Sequence, residues 1–259
     1  MIQPIFRSIS RVNGTGMLEF ESFVYLDVQK TGSSFVRSYL RRLMSTEPIR
    51  RRRHEPVETV DSTKFYFITC RNPVAQYVSL YFYGVRGRGA LFNALRRDQE
   101  VVRLYDGTSG GFAKWVGVLL DPMNASRVDV GYSGVSYLVG FQTWRFLTQA
   151  ILDPATALSR CQSKEDVTRL YNERRIPKAV LHNERLRDQL AELVAGPLAP
   201  SVQDARRAQL LLKKMSDKNR TERPPDFMIS AHVRCQIEER EWFFYDCLGY
   251  ERLHDGYGE

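Results

Sequence analysis

The chain has 259 residues, 43% of them hydrophobic and 12% aromatic, which excludes a disordered polypeptide and supplies enough core for one sizeable domain. Its 38 Lys and Arg outweigh 30 Asp and Glu, giving a formal charge of +8. That balance suits a polyanionic partner without choosing among nucleotides, nucleic acid, anionic membranes and acidic glycans.

Taken in chain order, FVYLDV at 23–28 is a short β-prone run, and FVRSYLRRLM after it is helical in pattern. Phe35, Val36, Tyr39, Leu40 and Leu43 share one face there, with Arg37, Arg41 and Arg42 toward the other. The pattern fails at Glu47-Pro48, and the run Arg50 to Arg53 with His54, Glu55 and Pro56 reads as an exposed connection. KFYFITC at 64–70 is the clearest strand, apolar on both faces as a buried parallel strand should be. Arg71-Asn72-Pro73 ends it, and Pro73 opens a helix that continues through VAQYVSLYFY. Residues 84–135 are rich in Gly and Arg and give no assignable element. A helix is expected over 137–151, a buried strand over IPKAVLH (176–182), and a helix over NERLRDQLAELV. KKMSDKNRTERPPDF is a polar, basic loop. A final helix is expected from Ser230 to Leu248, stopped by Gly249. The alternation of strands and helices predicts a single α/β domain over 1–259, with a mainly parallel central sheet flanked by helices.

Ligands of such sheets bind where strands end and loops lead into helices. Two strand ends here carry suitable residues. At the first, Lys30, Thr31, Gly32, Ser33 and Ser34 open a helix whose backbone N–H groups can surround an oxyanion. The lysine precedes the glycine, unlike the order G-x-x-x-x-G-K-[ST] of an ordinary phosphate-binding loop. At the second, Arg71 is followed eight residues later by Ser79, and a guanidinium fork with a hydroxyl can grip one phosphate. Two anion sites on neighbouring strands fit a ligand phosphorylated at two positions.

These stretches resemble a family. VQKTGSSF is similar to the 5′-phosphosulfate loop of sulfotransferases, commonly P-K-T-G-[GS]-[ST]-S/T. CRNPVAQYVSLYFY is similar to their 3′-phosphate motif, commonly R-[ND]-P-x-x-R-x-x-S-x-Y. VLHNERLRDQLAEL resembles the strand-Glu-Leu-helix element of Golgi-type and bacterial carbohydrate sulfotransferases, and KNRT before a last helix with Asp246 matches how those chains close. Two positions depart from the pattern: Gln29 stands for the usual proline and Gln76 for a second arginine.

The resemblance implies a P-loop-like three-layer sandwich and 3′-phosphoadenosine 5′-phosphosulfate as donor, with no metal. It implies that Lys30 approaches the bridging oxygen while the N–H groups of residues 31 to 35, Phe35 included, hold the 5′-phosphate. Arg71 and Ser79 would take the 3′-phosphate, and Arg220 and Thr221 would close over the nucleotide. His54 is the first choice of base, with Glu55 and Glu58 as competitors, because neutral imidazole is present near pH 7. Glu184 would either order the sheet end or touch the acceptor. The acceptor would be a saccharide, a glycolipid or another small-molecule hydroxyl. No nucleic-acid partner is expected.

Two rival readings are a kinase-like phosphotransferase on the same fold class and a non-catalytic protein that binds polyanions or nucleotides. No stretch reaches the roughly 18 uninterrupted apolar residues of a membrane-crossing helix, so no integral membrane segment is expected. MIQPIFRSISRVNGTG has no secretory apolar run. Cys70, Cys161, Cys235 and Cys247 are scattered, without metal-ligand spacing, which favours a reduced, cytoplasmic protein. The alternative is a trimmed luminal domain of a Golgi enzyme, in which the sequons beginning at Asn13, Asn124 and Asn219 would matter.

Overall fold

The computed structural model describes residues 17–51, 57, 59–216 and 222–252. Five strands form one open mixed sheet: β1 (Leu18–Glu19), β2 (Phe23–Leu26), β3 (Arg50–Arg51), β4 (Phe65–Cys70) and β5 (Ala179–His182), in the order β3-β1-β2-β4-β5. β2, β4 and β5 run parallel, with Val24 opposite Tyr66 and Ile68 opposite Val180. β1 is antiparallel to both β2 and β3.

The expected parallel strands are therefore present, and the antiparallel edge is an addition. Arg50 and Arg51, expected in an exposed connection, pair with Glu19 and Leu18 instead. Glu19 fixes that edge, with Lys64 Nζ at 2.6 Å and Arg50 Nε at 3.7 Å. A two-residue strand has too few side chains to display a period of two, so no hydrophobic pattern announces it.

Alternation along the strands sorts the core into two layers. Val24, Leu26, Val28, Tyr66, Ile68 and Cys70 enter the larger one, on the face covered by α2 (Pro73–Val85) and the helices Ser109–Leu120 and Phe141–Ala150. Phe23, Tyr25, Phe67 and Leu181 enter the smaller one, under α1 (Ser33–Leu43) and the helices Leu186–Ala195 and Ala205–Lys214. Both faces of the parallel strands are thus apolar, as their continuous hydrophobic runs require.

The unassigned stretch 84–135 is a chain of short helices, among them Ala90–Leu95, Gln99–Arg103 and Ser109–Leu120. Their starts are written in polar caps: Asp98, Thr108, Asp121 and Asp129 each accept a bond from a backbone N–H just ahead. Ala90–Leu95 and Gln99–Arg103 bury too few residues for a 3.6-residue period to stand out, whereas Ser109–Leu120 carries that period, burying Phe112, Trp115, Val116, Leu119 and Leu120.

The expected final helix is broken into Ala231–Arg240 and Trp242–Leu248. The break is Glu241, whose side chain turns inward and is fully buried. Its carboxylate accepts from Tyr77 OH (2.6 Å), Gln142 N–H (2.9 Å), Thr143 N–H (2.8 Å) and Thr143 Oγ1 (2.7 Å). It therefore caps the helix Phe141–Ala150, where a negative charge meets the positive end of the helix dipole. Burial raises the Glu241 pKa in spite of those four donors. Gly249 stops the second piece as expected, in the left-handed region at φ 73°.

Gly140 lets that carboxylate approach: a Cβ there would stand 2.4 Å from the Glu241 carboxyl carbon. Gly140→Ala is expected to cost about 1–3 kcal/mol of stability through overpacking. Urea denaturation followed by circular dichroism checks this, and a wild-type midpoint would show that Glu241 does not hold this position.

Candidate anion-binding site

Between β2 and α1 the chain turns through two left-handed residues, Lys30 at φ 69° and Gly32 at φ 91°. Gly32 is required twice over, because a Cβ would also meet Asn183 Nδ2 at 2.5 Å and Leu186 Cδ2 at 2.7 Å. A lysine in this region is uncommon, so the surrounding bonds must hold it there. Thr31 supplies them. It is fully buried, donates its hydroxyl to Val28 O at 2.7 Å, and lies 2.6 Å from Thr69 Oγ1 on β4. Thr69 Oγ1 is in turn 2.9 Å from Tyr25 OH on β2.

Gly32 is the cap residue of α1, with no side-chain cap and no acid in the first turn. The N–H groups that open a helix have no partner within it, so those of Gly32, Ser33 and Ser34, with that of Thr31 just before them, are candidate donors for an anion. Two groups of this loop already have partners within the fold. The Thr31 hydroxyl is committed to the fold, which leaves only its N–H. Phe35 is a core residue: its N–H donates to Gly32 O at 2.9 Å, and its buried ring lies 4.6 Å from the Arg187 guanidinium carbon.

The end of β4 brings Arg71 to the same place. Its Nη1 donates to Lys30 O at 3.3 Å, and its Nε is buried without a partner among the described residues. Burial lowers the Arg71 pKa, with Glu184 opposing that shift and Arg223 adding to it. Lys30 Nζ lies 4.2 Å from the centre of the Tyr83 ring. Burial, with the repulsion of Arg71 and Arg86, brings its pKa from 10.5 down to about 8. Arg86 also pairs with Glu222 at 3.1 Å in an exposed contact.

Glu184 orders the junction. One oxygen accepts the Asn72 N–H at 2.9 Å, and the other accepts Tyr250 OH at 3.0 Å. Tyr250 OH reaches Cys70 Sγ at 3.4 Å, so the ends of β4 and β5, the start of α2 and the C-terminal segment meet at one carboxylate. Sequence reasoning left two roles open for Glu184, and these bonds show the ordering one.

Ser79 is buried in α2 at 3% exposure. The Arg71 bond among the described residues goes to Lys30, not to Ser79. Gln29 and Gln76, the two departures from the motif, touch each other: Gln76 Nε2 donates to Gln29 O at 2.9 Å. Gln76 is fully buried, so an arginine there would place a charge inside the core. His54, Glu55, Glu58, Arg220 and Thr221 lie outside the described residues.

Among the described residues no group of three His, Cys, Asp or Glu side chains comes together, and no helix is long and apolar enough to cross a membrane. Cys70, Cys161, Cys235 and Cys247 form no disulfide among the described residues. In comparison with known proteins, the chain matches no family model, no curated protein and no solved structure.

The lowered Lys30 pKa has a measurable sign. The unfolded chain binds this proton more tightly than the folded one, so Lys30 favours folding above pH 10.5 and that contribution is lost as pH falls toward about 8. A phosphate seated beside Lys30 reverses the shift. Anion binding at pH 8 is therefore expected to take up protons, seen as a dependence of the binding heat on buffer ionisation enthalpy. Lys30→Ala removes the uptake; an uptake unchanged in that variant would place the titrating group elsewhere.

Proposed function

We propose that the chain is a sulfotransferase of P-loop-like α/β architecture that takes its sulfuryl group from 3′-phosphoadenosine 5′-phosphosulfate. The observation that carries this reading is the meeting of Lys30 and Arg71. An uncapped helix start with a lysine on one parallel strand end touches an arginine on the next, whose Nε has no described partner. Positive charge is in excess at that point, since Arg71 and Arg86 both push the Lys30 pKa down. An anion with two charged ends answers such a pair, and a doubly phosphorylated nucleotide has that form.

In the proposed reaction the acceptor oxygen attacks sulfur, and the bond from sulfur to the 5′-phosphate oxygen breaks. Adenosine 3′,5′-bisphosphate leaves. Negative charge grows on the bridging oxygen, so catalysis consists chiefly of positioning and charge neutralisation, as in phosphoryl transfer. The Lys30 ammonium meets that charge, while the N–H groups of residues 31–34 hold the phosphate. The hydroxyl proton goes to His54, or to Glu55 or Glu58 on the same connection. Ser79 joins Arg71 on the 3′-phosphate, and Arg220 and Thr221 cover the nucleotide. The acceptor is a saccharide, a glycolipid or another small hydroxyl compound.

Calorimetric titration with adenosine 3′,5′-bisphosphate tests the donor assignment. Arg71→Ala is expected to weaken binding roughly 10- to 100-fold, the range for losing a hydrogen bond to a charged group. Equal, negligible heat from wild type and variant would overturn the assignment. Tighter binding of magnesium ATP than of the bisphosphate would favour the phosphotransferase reading instead.

A further inference from the structure

A second basic surface lies apart from the strand ends. α1 and the helix Ala205–Lys214 pack antiparallel: Arg207 Nη2 donates to Arg42 O at 2.7 Å, while Arg187, over Phe35, donates to the carbonyls of Leu212 and Met215 at the other end. Tyr39 OH reaches Ala208 O at 3.4 Å midway. Ala208 and Leu212 are buried in this seam, which turns the rest of the second helix outward.

What it turns outward is uniform. Arg206, Arg207, Lys213 and Lys214 are exposed, and so are Arg41 and Arg42 in the last turn of α1. Neither helix contains an acidic residue. Asp204 is occupied as the cap of the second helix, accepting the Arg207 N–H at 2.9 Å. Asp188 and Glu192, on the neighbouring helix Leu186–Ala195, form no ion pair with these cations among the described residues.

In the middle stands Leu210, 52% exposed. Arg206 and Arg207 precede it by four and three residues, and Lys213 and Lys214 follow by three and four. At helical spacing all four cations border the leucine on one surface. A row of cations alone fits any polyanion. A leucine at its centre adds to binding where the partner is apolar just beneath its charge. An acidic polysaccharide or a nucleic-acid backbone gives an aliphatic side chain nothing to enter. The headgroup region of an anionic bilayer gives the cations phosphates and carboxylates, and gives the leucine the acyl boundary.

We propose that the face formed by α1 and the helix Ala205–Lys214 docks on anionic lipid surfaces, with Leu210 entering the bilayer between the four cations. Binding of this kind is peripheral and reversible. Each cation near an anionic leaflet strengthens binding about fivefold, and the leucine about tenfold. The cations of this surface, Arg41 and Arg42 in the last turn of α1 and the four on the second helix, are not residues of the proposed nucleotide site, so the proposal stands or falls independently of the sulfotransferase reading.

Co-sedimentation of the full chain with phosphatidylcholine vesicles, with and without phosphatidylserine, tests the proposal. Binding is expected only with phosphatidylserine and is expected to fall with salt. Lys213→Gln combined with Lys214→Gln should weaken it about 25-fold at the fivefold per cation given above. Leu210→Ser should weaken it about tenfold while leaving retention on heparin unchanged. All these side chains are exposed, and thermal melts confirm that the variants fold. No sedimentation with phosphatidylserine at low salt would overturn the proposal. So would vesicle binding indifferent to Leu210, and when accompanied by heparin binding lost with the two lysines, that result would make the face an acidic-glycan surface.

Discussion

The hydroxyl of Thr31 fixes where the chain turns, and the candidate site depends on that turn. Donating to Val28 O and meeting Thr69, which in turn meets Tyr25, it ties the loop after β2 to the neighbouring strand β4. A buried hydroxyl left unpaired would be costly, so the loop gains a single low-energy position. Lys30 is then carried into a left-handed conformation, its carbonyl toward Arg71 and its ammonium over Tyr83. The N–H groups at the start of α1 are presented in the same motion. A threonine that looks like an anion ligand in the sequence is the peg on which the ligands hang.

Much of this fold was legible in the sequence because burial leaves a periodic trace. The run 64–70 is apolar throughout because both faces of β4 are covered, and residues 35–43 show the one-sided pattern of a helix over a sheet. What stayed hidden lacks period or depends on distant partners. β1 and β3 are two residues each, and Arg50 looked like part of a solvated charge run until Glu19 stood beside it. The break at Glu241 cannot be read locally, since the donors that draw the carboxylate inward lie about a hundred residues or more away in the chain.

The site was legible to the same depth. Neighbouring strand ends bearing Lys30 and Arg71 were expected, and β2 and β4 are paired in parallel register. Residue types could not tell which groups are consumed by the fold, so Thr31 and Phe35 looked like equal members of the loop. Nor could the pattern show that Gln29 and Gln76, read as two separate departures, form one hydrogen bond. That bond uses the backbone carbonyl of Gln29, so it depends on the side chain at 76 and not on the one at 29.

α2 is gripped at two points by carboxylates that arrive late in synthesis. Glu184 takes its first N–H group at Asn72, and Glu241 takes the hydroxyl of Tyr77 one turn further along. Tyr250 then steadies Glu184 from the far end of the described chain. Arg71 sits just ahead of the first grip, so the segment that carries it is held by a residue 112 positions from Asn72 in the chain. The corner where the two strand ends meet is thus braced by side chains that lie far along the sequence from it.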